Sequence, residues 1–233
     1  MLFRQLFDAT SCTYTYLIAS GYGREALLID PVLEQMPLYI RLFDELRLKL
    51  VLSIETHTHA DHITAAASLQ EKFQSQIGMG EISRAEHVNL KIKDNEKITI
   101  DGIQLKALHT PGHTQDSYSY LMDDRVFTGD TLLIRGTGRT DFQGGDPYQQ
   151  YDSLFHKLLK LPDALQVYPA HDYKGMTVST IGEEKRYNPR LQVSGAEEYA
   201  TLMNHLDLPK PGLMDVAVPA NLQCGRQLCK KLL

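Results

Sequence analysis

The chain has 233 residues, a length that suits one large α/β or sandwich domain. Its 42% hydrophobic and 23% charged residues allow a packed core and exclude a mainly disordered chain. The net charge of −5 argues against nucleic-acid binding, which needs a basic face, although a few local arginines can still bind an anionic small molecule. No apolar run approaches the roughly 18 residues of a transmembrane helix, so we expect no membrane partner.

The first predicted elements are strands and helices that alternate. Alternating apolar residues rich in Tyr, Thr and Ile predict strands over 13–20 and 24–30, and a short apolar run predicts a buried strand over 50–56. Amphipathic spacing predicts a helix over 37–49, which opens at a proline, and a second helix over 63–73.

Two predicted hairpins, with Asp-Gly and Asp-Asp turns, dominate the middle of the chain. They pair 97–100 with 103–110 and 117–122 with 125–130. A helix, a strand and a helix then follow at 148–160, 165–170 and 196–206. Strand clusters interleaved with helices indicate two sheets covered by helices. We expect one domain over 1–233, with a short C-terminal tail over about 208–233.

The cysteines predict the compartment. Cys12, Cys224 and Cys229 form no C-x-x-C motif, and their odd number argues against a disulfide framework. The opening segment MLFRQLFDAT lacks the long apolar stretch of a secretory signal. We therefore expect a cytoplasmic protein.

A dense group of metal-ligand residues follows the predicted strand 50–56. His57, His59, Asp61 and His62 stand within one short segment. Residues two apart in an extended segment point the same way, so His57 and His59 can face one ion. Asp61 and His62 lie past the turn and can face a neighbouring position. Because the group lies between an apolar strand and an apolar helix, we interpret it as a metal site rather than a solvated loop.

Three further candidate ligands stand where predicted strands end. His113 lies in a Thr-Pro-Gly-His-Thr turn, Asp130 ends the strand RVFTGD, and His171 follows the strand at 165–170. Alone, such a histidine can be structural and such a carboxylate can cap a turn. Together with the first group, they predict a metal site at one rim of the sheets.

These residues alone form a complete binuclear zinc hydrolase set. His57, His59, His113 and Asp130 would hold one metal, and Asp61, His62, Asp130 and His171 would hold the other. On this basis we would predict metal-activated water that attacks an ester or thioester.

Four stretches resemble the persulfide dioxygenases, also called sulfur dioxygenases or the ethylmalonic encephalopathy protein family, of the metallo-β-lactamase superfamily. They are THTHADHIT (56–64), LLIRGTGRTDFQGG (132–145), YPAHDYKGMTVSTIGEEKRYNPRL (168–191) and LPKPGLMDVAVPANLQCG (208–225). The resemblance covers essentially the whole chain, but this chain has Gln115-Asp116-Ser117 where members usually carry a glycine and a small residue. It implies an α/β fold, the αββα four-layer sandwich with two mixed sheets flanked by helices.

The resemblance also implies a different metal site. One Fe(II) per chain would be held by His57, His113 and Asp130, a facial triad suited to O₂ chemistry. The residues that would orient these ligands and bound molecules through hydrogen bonds are His59, Asp61, His62, His171 and Tyr173. The implied reaction takes glutathione persulfide, O₂ and water to sulfite and glutathione, and the implied assembly is a homodimer.

Glutathione carries carboxylates, which arginines bind bidentately. We expect Arg139 to anchor the substrate, with Arg190 as a second candidate, and the alternative for Arg139 is an ion pair with Asp141. Cys224 either lies near the substrate sulfur or is a buried small hydrophobe. These roles are expectations from the resemblance and from residue type.

Two other functions remain open at this point. A zinc thioesterase similar to glyoxalase II fits the metal motifs, but VPANLQCG stands where those hydrolases carry a helical extension. A non-catalytic metal-binding protein is the second, yet a structural zinc site rarely uses so many additional His and Asp residues.

Overall fold

The structure is a computed structural model that describes residues 1–210 and 212–226. Its strands form two six-stranded sheets in which each strand lies beside its neighbours in the chain. The first sheet contains β1 (Leu2–Asp8), β2 (Thr13–Ala19), β3 (Glu25–Ile29), β4 (Lys49–Ile54), β5 (Gln76–Gly80) and β6 (Leu90–Ile92). The second contains β7 (Lys97–Ile100), β8 (Ile103–His109), β9 (Tyr118–Leu121), β10 (Arg125–Gly129), β11 (Gln166–Pro169) and β12 (Ser179–Thr180).

The α-helices of the described residues are α1 (Met36–Leu46), α2 (Ala66–Phe73), α3 (Pro147–Asp152), α4 (Ile181–Tyr187), α5 (Ala196–Asn204) and α6 (Met214–Asn221). Five of them, α1 to α5, pack on the outer faces of the sheets, and α6 packs on the loop after β4. The predicted helix 148–160 is not uniform, because α3 continues into a π-helical turn and then a 3₁₀ turn. Across the described ranges, we find no helix with the length and apolar character needed to span a bilayer.

Strand β2 illustrates how the layers pack. Tyr16 and Ile18 lie in the core between the two sheets, whereas Leu17 and Ala19 pack with the residues under α1 and α2. A strand buried on both faces belongs to an inner layer of a sandwich. Both sheets are mixed, since β3 to β6 run parallel and so do β10 and β11. The predicted αββα sandwich is confirmed.

The ends of four strands meet at one edge of the two sheets. The loop after β4 and the segments after β8, β10 and β11 carry the candidate ligands to this edge. Two backbone hydrogen bonds join the sheets there, from Tyr118 N to the Thr56 carbonyl at 2.7 Å and from Tyr14 N to the Ala170 carbonyl at 2.7 Å. Main-chain contacts therefore hold the two sheets together at this edge, independently of any ligand bound by the side chains.

Some elements were missed by the sequence analysis, among them β1, β5, β6 and α4. In β5, a Cβ on Gly80 would lie 2.1 Å from the Tyr118 ring, so this strand uses a glycine where it packs against the second sheet. The glycine weakens the strand pattern in the sequence. The predicted tail over 208–233 contains helix α6, whose pattern is interrupted by Pro219, while Cys229 and the rest of 227–233 lie outside the described residues.

Candidate metal centre

Three side chains present free ligand atoms to one point. His57, His113 and Asp130 each offer an atom within 4.8 Å of the others. His57 Nδ1 lies 2.9 Å from the Thr56 hydroxyl, which itself donates to Asp30. The hydroxyl therefore accepts from Nδ1–H, and the Nε2 lone pair of His57 is free. Burial holds the pKa of His57 well below its usual range, so the ring is neutral, as a metal ligand must be.

The other two ligands are oriented in the same way. His113 Nδ1 donates to the Arg139 carbonyl at 2.7 Å, which leaves its Nε2 free. Asp130 Oδ1 accepts from His171 at 2.6 Å, while Oδ2 lies 3.5 Å from His113 Nε2. Burial alone would raise the pKa of Asp130, but His171, His113 and His57 hold it well below its usual range. An ionised, buried carboxylate beside two imidazole nitrogens fits a divalent metal ion.

His171 bridges two carboxylates. Its Nδ1 donates to Asp130 at 2.6 Å and its Nε2 donates to Asp61 at 2.8 Å. Burial disfavours a charged ring, but the two carboxylates outweigh it and raise the pKa of His171 well above its usual range. An imidazolium that donates from both nitrogens has no lone pair for a metal. In this arrangement His171 orients Asp130.

Asp61 is the centre of the second candidate group. It accepts hydrogen bonds from His171 at 2.8 Å, from His62 at 2.8 Å and from Thr13 at 3.1 Å. Burial would raise the pKa of Asp61, but His171 and His62 hold it well below its usual range. Nε2 of His62 and Nδ1 of His59 have no hydrogen-bond partner in the described part of the chain, whereas Nε2 of His59 lies beside Asp30. This group therefore keeps a partial set of metal ligands.

The ligand atoms of His59 group with those of Asp61 in this second set, although its ring centroid lies 4.1 Å from that of His57. Nε2 of His59 lies 3.1 Å from Asp30 and 3.5 Å from Glu55. Burial opposes a charge on His59, but Asp30 leads the carboxylates that raise its pKa to about 9. Burial raises the pKa of Glu55 to about 8. The first zinc set predicted from the residues alone, which pairs His59 with His57, does not match this geometry.

The last residue of α6 clamps the metal-binding loop, a role that the sequence analysis missed. Asn221 Nδ2 donates to the carbonyls of His59 at 2.9 Å and His62 at 2.8 Å, and Asn221 Oδ1 accepts from Thr64 N at 2.9 Å. A Cβ on Gly225 would lie 2.1 Å from the Thr64 carbonyl, so the chain beyond α6 also packs closely on this loop. No local pattern could reveal this clamp, because its partners are more than 150 positions apart.

Asp116 was noted only as a departure from the family pattern, and it also supports the site. Its carboxylate accepts from the hydroxyl of Thr58 at 2.6 Å and from the hydroxyl of Thr114 at 2.7 Å. Thr58 follows His57 and Thr114 follows His113 in the chain. Asp116 thus ties together the two turns that carry the imidazole ligands.

A cavity of about 850 Å³ opens onto His113, Asp130 and His171. Its walls come from residues 133–139, residues 172–174 and Arg190, and from 208–210 and 212–213 near the C-terminus. The cavity is large enough for a tripeptide-sized ligand beside the metal position.

The two arginines of the cavity differ in their partners. Arg139 forms a bidentate pair with Asp141 at 2.6 and 2.7 Å and also donates to the Pro209 carbonyl at 2.6 Å. Arg190 donates to the Thr137 carbonyl, and it has no carboxylate within ion-pair distance among the residues that the structure describes. Burial lowers the pKa of Arg190. Arg139 is occupied by the alternative ion pair, whereas Arg190 is available to a carboxylate.

Tyr173 and Cys224 lie on different sides of the metal loop. Tyr173 lines the cavity, with its ring parallel to that of His171 at 6.1 Å between centroids. Cys224 is buried, its Sγ donates to the Glu86 carbonyl at 3.0 Å, and burial raises its pKa to about 12. Cys224 does not line the cavity. Its position therefore supports a role as a small buried hydrophobic residue rather than a contact with the substrate sulfur.

Comparison with known proteins identifies the class and then the family. The profile of the Metallo-beta-lactamase superfamily matches residues 13–90 and 79–171, and the chain belongs to that superfamily. It is 45% identical over 230 residues to human "Persulfide dioxygenase ETHE1, mitochondrial", covering 97% of this chain and 90% of the relative. The crystal structure of ETHE1 from Myxococcus xanthus is 50% identical, has a TM-score of 0.94 and covers 97% of this chain and 100% of that one. Within the superfamily, the chain is thus a member of the persulfide dioxygenase family.

The family predicted from the four sequence stretches is therefore confirmed. A probable hydroxyacylglutathione hydrolase of Schizosaccharomyces pombe is less similar, at 30% identity over 242 residues, covering 88% of this chain and 91% of the relative. The predicted similarity to glyoxalase II is thus real but more distant.

Replacing His171 tests which residues hold the metal. We expect His171→Ala to keep its metal and to lose about 10- to 100-fold in activity, because an orienting hydrogen bond is lost but no ligand is. Asp130→Ala is the matched comparison, and we expect it to lose the metal. Elemental analysis of both purified variants checks this, and equal loss of metal would assign His171 as a ligand.

Replacing Asn221 tests the clamp. Asn221→Asp keeps the shape but puts an oxygen against the His59 and His62 carbonyls, so we expect metal affinity to fall by about 10-fold or more. Asn204→Asp, at the exposed end of α5, is the control and should bind metal like the parent protein. Competition with a chelator measures both affinities, and an unchanged affinity in Asn221→Asp would rule out the clamp.

Proposed function

We propose that this protein uses one Fe(II) per chain to oxidise glutathione persulfide with O₂ and water to sulfite and glutathione. The observation that carries the iron assignment is the position of His171 between Asp61 and Asp130. It leaves one free carboxylate oxygen beside the free nitrogens of His57 and His113. Two imidazoles and one carboxylate with open positions suit non-haem iron. Bound there, Fe(II) would supply electrons to O₂ and a position for the outer persulfide sulfur.

The protein's own residues hold charges and protons in place around that position. His171 keeps Asp130 ionised and points its free oxygen at the metal position. Tyr173 is 68% exposed, and its side chain borders the cavity beside His171. A tyrosine phenol is protonated near neutral pH and can donate a hydrogen bond to a molecule in the cavity.

The overall reaction balances with these components alone. The outer sulfur is oxidised to sulfite while O₂ is reduced, and water supplies the remaining sulfite oxygen. The S–S bond breaks, and the inner sulfur leaves with the bonding electron pair as glutathione thiolate, which then takes a proton. The cavity has to hold the glutathione part and direct only the outer sulfur toward His113 and Asp130.

Arg190 is the better candidate to hold a glutathione carboxylate. A half-buried guanidinium without a carboxylate partner gains most from an anionic ligand. Arg139 would have to exchange Asp141 for the substrate, so we propose that it shapes the cavity and anchors the ligand only secondarily.

We also propose the assembly and the compartment. The chain would form a single domain, as its length suggests, and a homodimer, as the family resemblance implies. A cytoplasmic location is supported by Cys12 and Cys224, which are both free thiols in the structure. The human relative carries the word "mitochondrial" in its name, so the compartment is to be tested by fractionating cells of the source organism.

Activity measurements test the proposed reaction. We expect metal-free protein reconstituted with Fe(II) under anaerobic conditions to consume O₂ and release sulfite when glutathione persulfide is added. Protein loaded with Zn²⁺ should do neither, because zinc has no redox chemistry. An oxygen electrode and a sulfite assay provide the readouts.

One observation favours the zinc hydrolase as a second candidate. Nδ1 of His59 and Nε2 of His62, which have no hydrogen-bond partner in the described part of the chain, could complete a second metal position beside Asp61. If zinc-loaded protein hydrolyses a glutathione thioester faster than iron-loaded protein consumes O₂, the hydrolase is the correct function.

A pair of arginine variants tests how the substrate is held. We expect Arg190→Ala to raise KM for glutathione persulfide about 10-fold with a smaller change in kcat, as loss of a ground-state contact does. Arg139→Ala should mainly lower the Tm, because it breaks the pair with Asp141 and the contact to Pro209. Steady-state kinetics and melting curves on both variants show which arginine holds the substrate. A raised KM in Arg139→Ala with an unchanged KM in Arg190→Ala would make Arg139 the anchor.

A further inference from the structure

Glu184 is a fully buried acid that the proposed reaction does not use. It lies on α4 and has no solvent exposure. Its Oε2 accepts from Arg135 N at 2.9 Å and from Asn188 Nδ2 at 2.8 Å. Its Oε1 accepts from the Ser179 hydroxyl at 2.5 Å and from the Arg135 guanidinium. A buried carboxylate with every acceptor position filled fixes the groups that donate to it.

These groups belong to the wall of the cavity. Residues 133–138, here called the wall loop, line the cavity above the metal position. Arg135 has a φ of 56°, in the left-handed region that a non-glycine residue adopts only when its surroundings hold it there. The same Asn188 amide that binds Glu184 also donates to the Gly136 carbonyl at 2.9 Å. The shape of the wall loop thus depends on contacts made from beneath by α4 and Asn188.

The wall loop also leads directly to the metal ligands. Gly138 N donates to the Asp130 carbonyl at 2.6 Å, and the Arg139 carbonyl accepts from His113 Nδ1 at 2.7 Å. Arg190, the proposed carboxylate anchor, donates to the Thr137 carbonyl. A shift of the wall loop would therefore move the substrate anchor relative to the metal position.

We propose that Glu184 is a positioning residue that sets the shape of the substrate cavity through Arg135 and the wall loop. This inference rests on the proposed function, because it concerns how the same cavity holds glutathione persulfide. Glu184 touches neither the metal position nor the cavity and acts only through the residues that it holds.

The neighbouring glutamate provides a matched control. Glu183 binds the same arginine at 3.0 Å, but its side chain is 48% exposed. Glu184→Gln puts an amide N–H₂ where an oxygen now accepts from two donors, so the wall loop must shift. Glu183→Gln loses an exposed ion pair, which contributes little, and its amide oxygen can still accept from the Ser179 hydroxyl. Both variants change one carboxylate to an amide on the same helix.

We expect Glu184→Gln to raise KM for glutathione persulfide about 10-fold, with a smaller change in kcat. The reason is that about one charge-assisted hydrogen bond that holds the wall loop is lost. The Kd of reduced glutathione, measured by calorimetry on the iron-loaded protein, should rise by a similar factor. Glu183→Gln should stay within about twofold of the parent protein in both measurements. Iron content should be unchanged in both variants.

A purely structural role predicts a different result. If folded Glu184→Gln has a lower Tm but unchanged KM and Kd, the inference is overturned. If Glu184→Gln does not fold, Asn188→Ala provides the test, because it removes the amide that joins Glu184 to the Gly136 carbonyl. We expect the KM of Asn188→Ala to rise as well, and an unchanged KM would overturn the inference. Failure of the parent protein to consume O₂ with glutathione persulfide would instead refute the proposed function.

Discussion

The imidazolium of His171, held between the carboxylates of Asp61 and Asp130, is the interaction on which the site depends. Buried charges are costly unless they are paired and hydrogen-bonded, and here one positive ring faces two negative groups. With both ring nitrogens hydrogen-bonded to carboxylates, we propose that His171 supports the first predicted ligand set instead of completing the second. Under the proposed function, the remaining set of two imidazoles and one carboxylate is the reason to expect iron and O₂ chemistry rather than hydrolysis.

The fold supplies the rigidity that this arrangement needs. The ligands lie beyond strand ends, where backbone groups leave the sheet ladders and need other partners. Asp30 binds Thr56, the residue that precedes His57 in the chain. Asp116 joins the turns that carry His57 and His113, and Asn221 holds the loop between His59 and Thr64. Each support comes from a different part of the chain, so the metal position forms only when both sheets and α6 are in place.

Many residues of this site could be predicted from the sequence because each lies in a short segment that can be recognised by itself. The segment from His57 to His62 is contiguous, and His113, Asp130 and His171 each follow a recognisable strand. Local periodicity likewise predicted two sheets covered by helices, whereas the αββα order of the layers was implied by the family resemblance.

The supports could not be predicted in this way. Asn221 and Glu184 look like ordinary helix residues until the fold brings them against loops that are distant in the chain. The pairing of Arg139 with Asp141 was foreseen only as an alternative, because sequence spacing does not show which partner a guanidinium takes. The burial of Cys224 behind the metal loop likewise depends on the docking of α6, whose proline hides its helical pattern.

Anomalous diffraction from crystals grown anaerobically with excess Fe(II) tests the central claim most directly. The account predicts one iron peak per chain, bound by His57, His113 and Asp130, with His171 still within hydrogen-bond distance of both Asp61 and Asp130. A second peak among His59, Asp61, His62 and His171 would contradict it, because His171 would then have to give up a proton and a carboxylate partner to bind a metal.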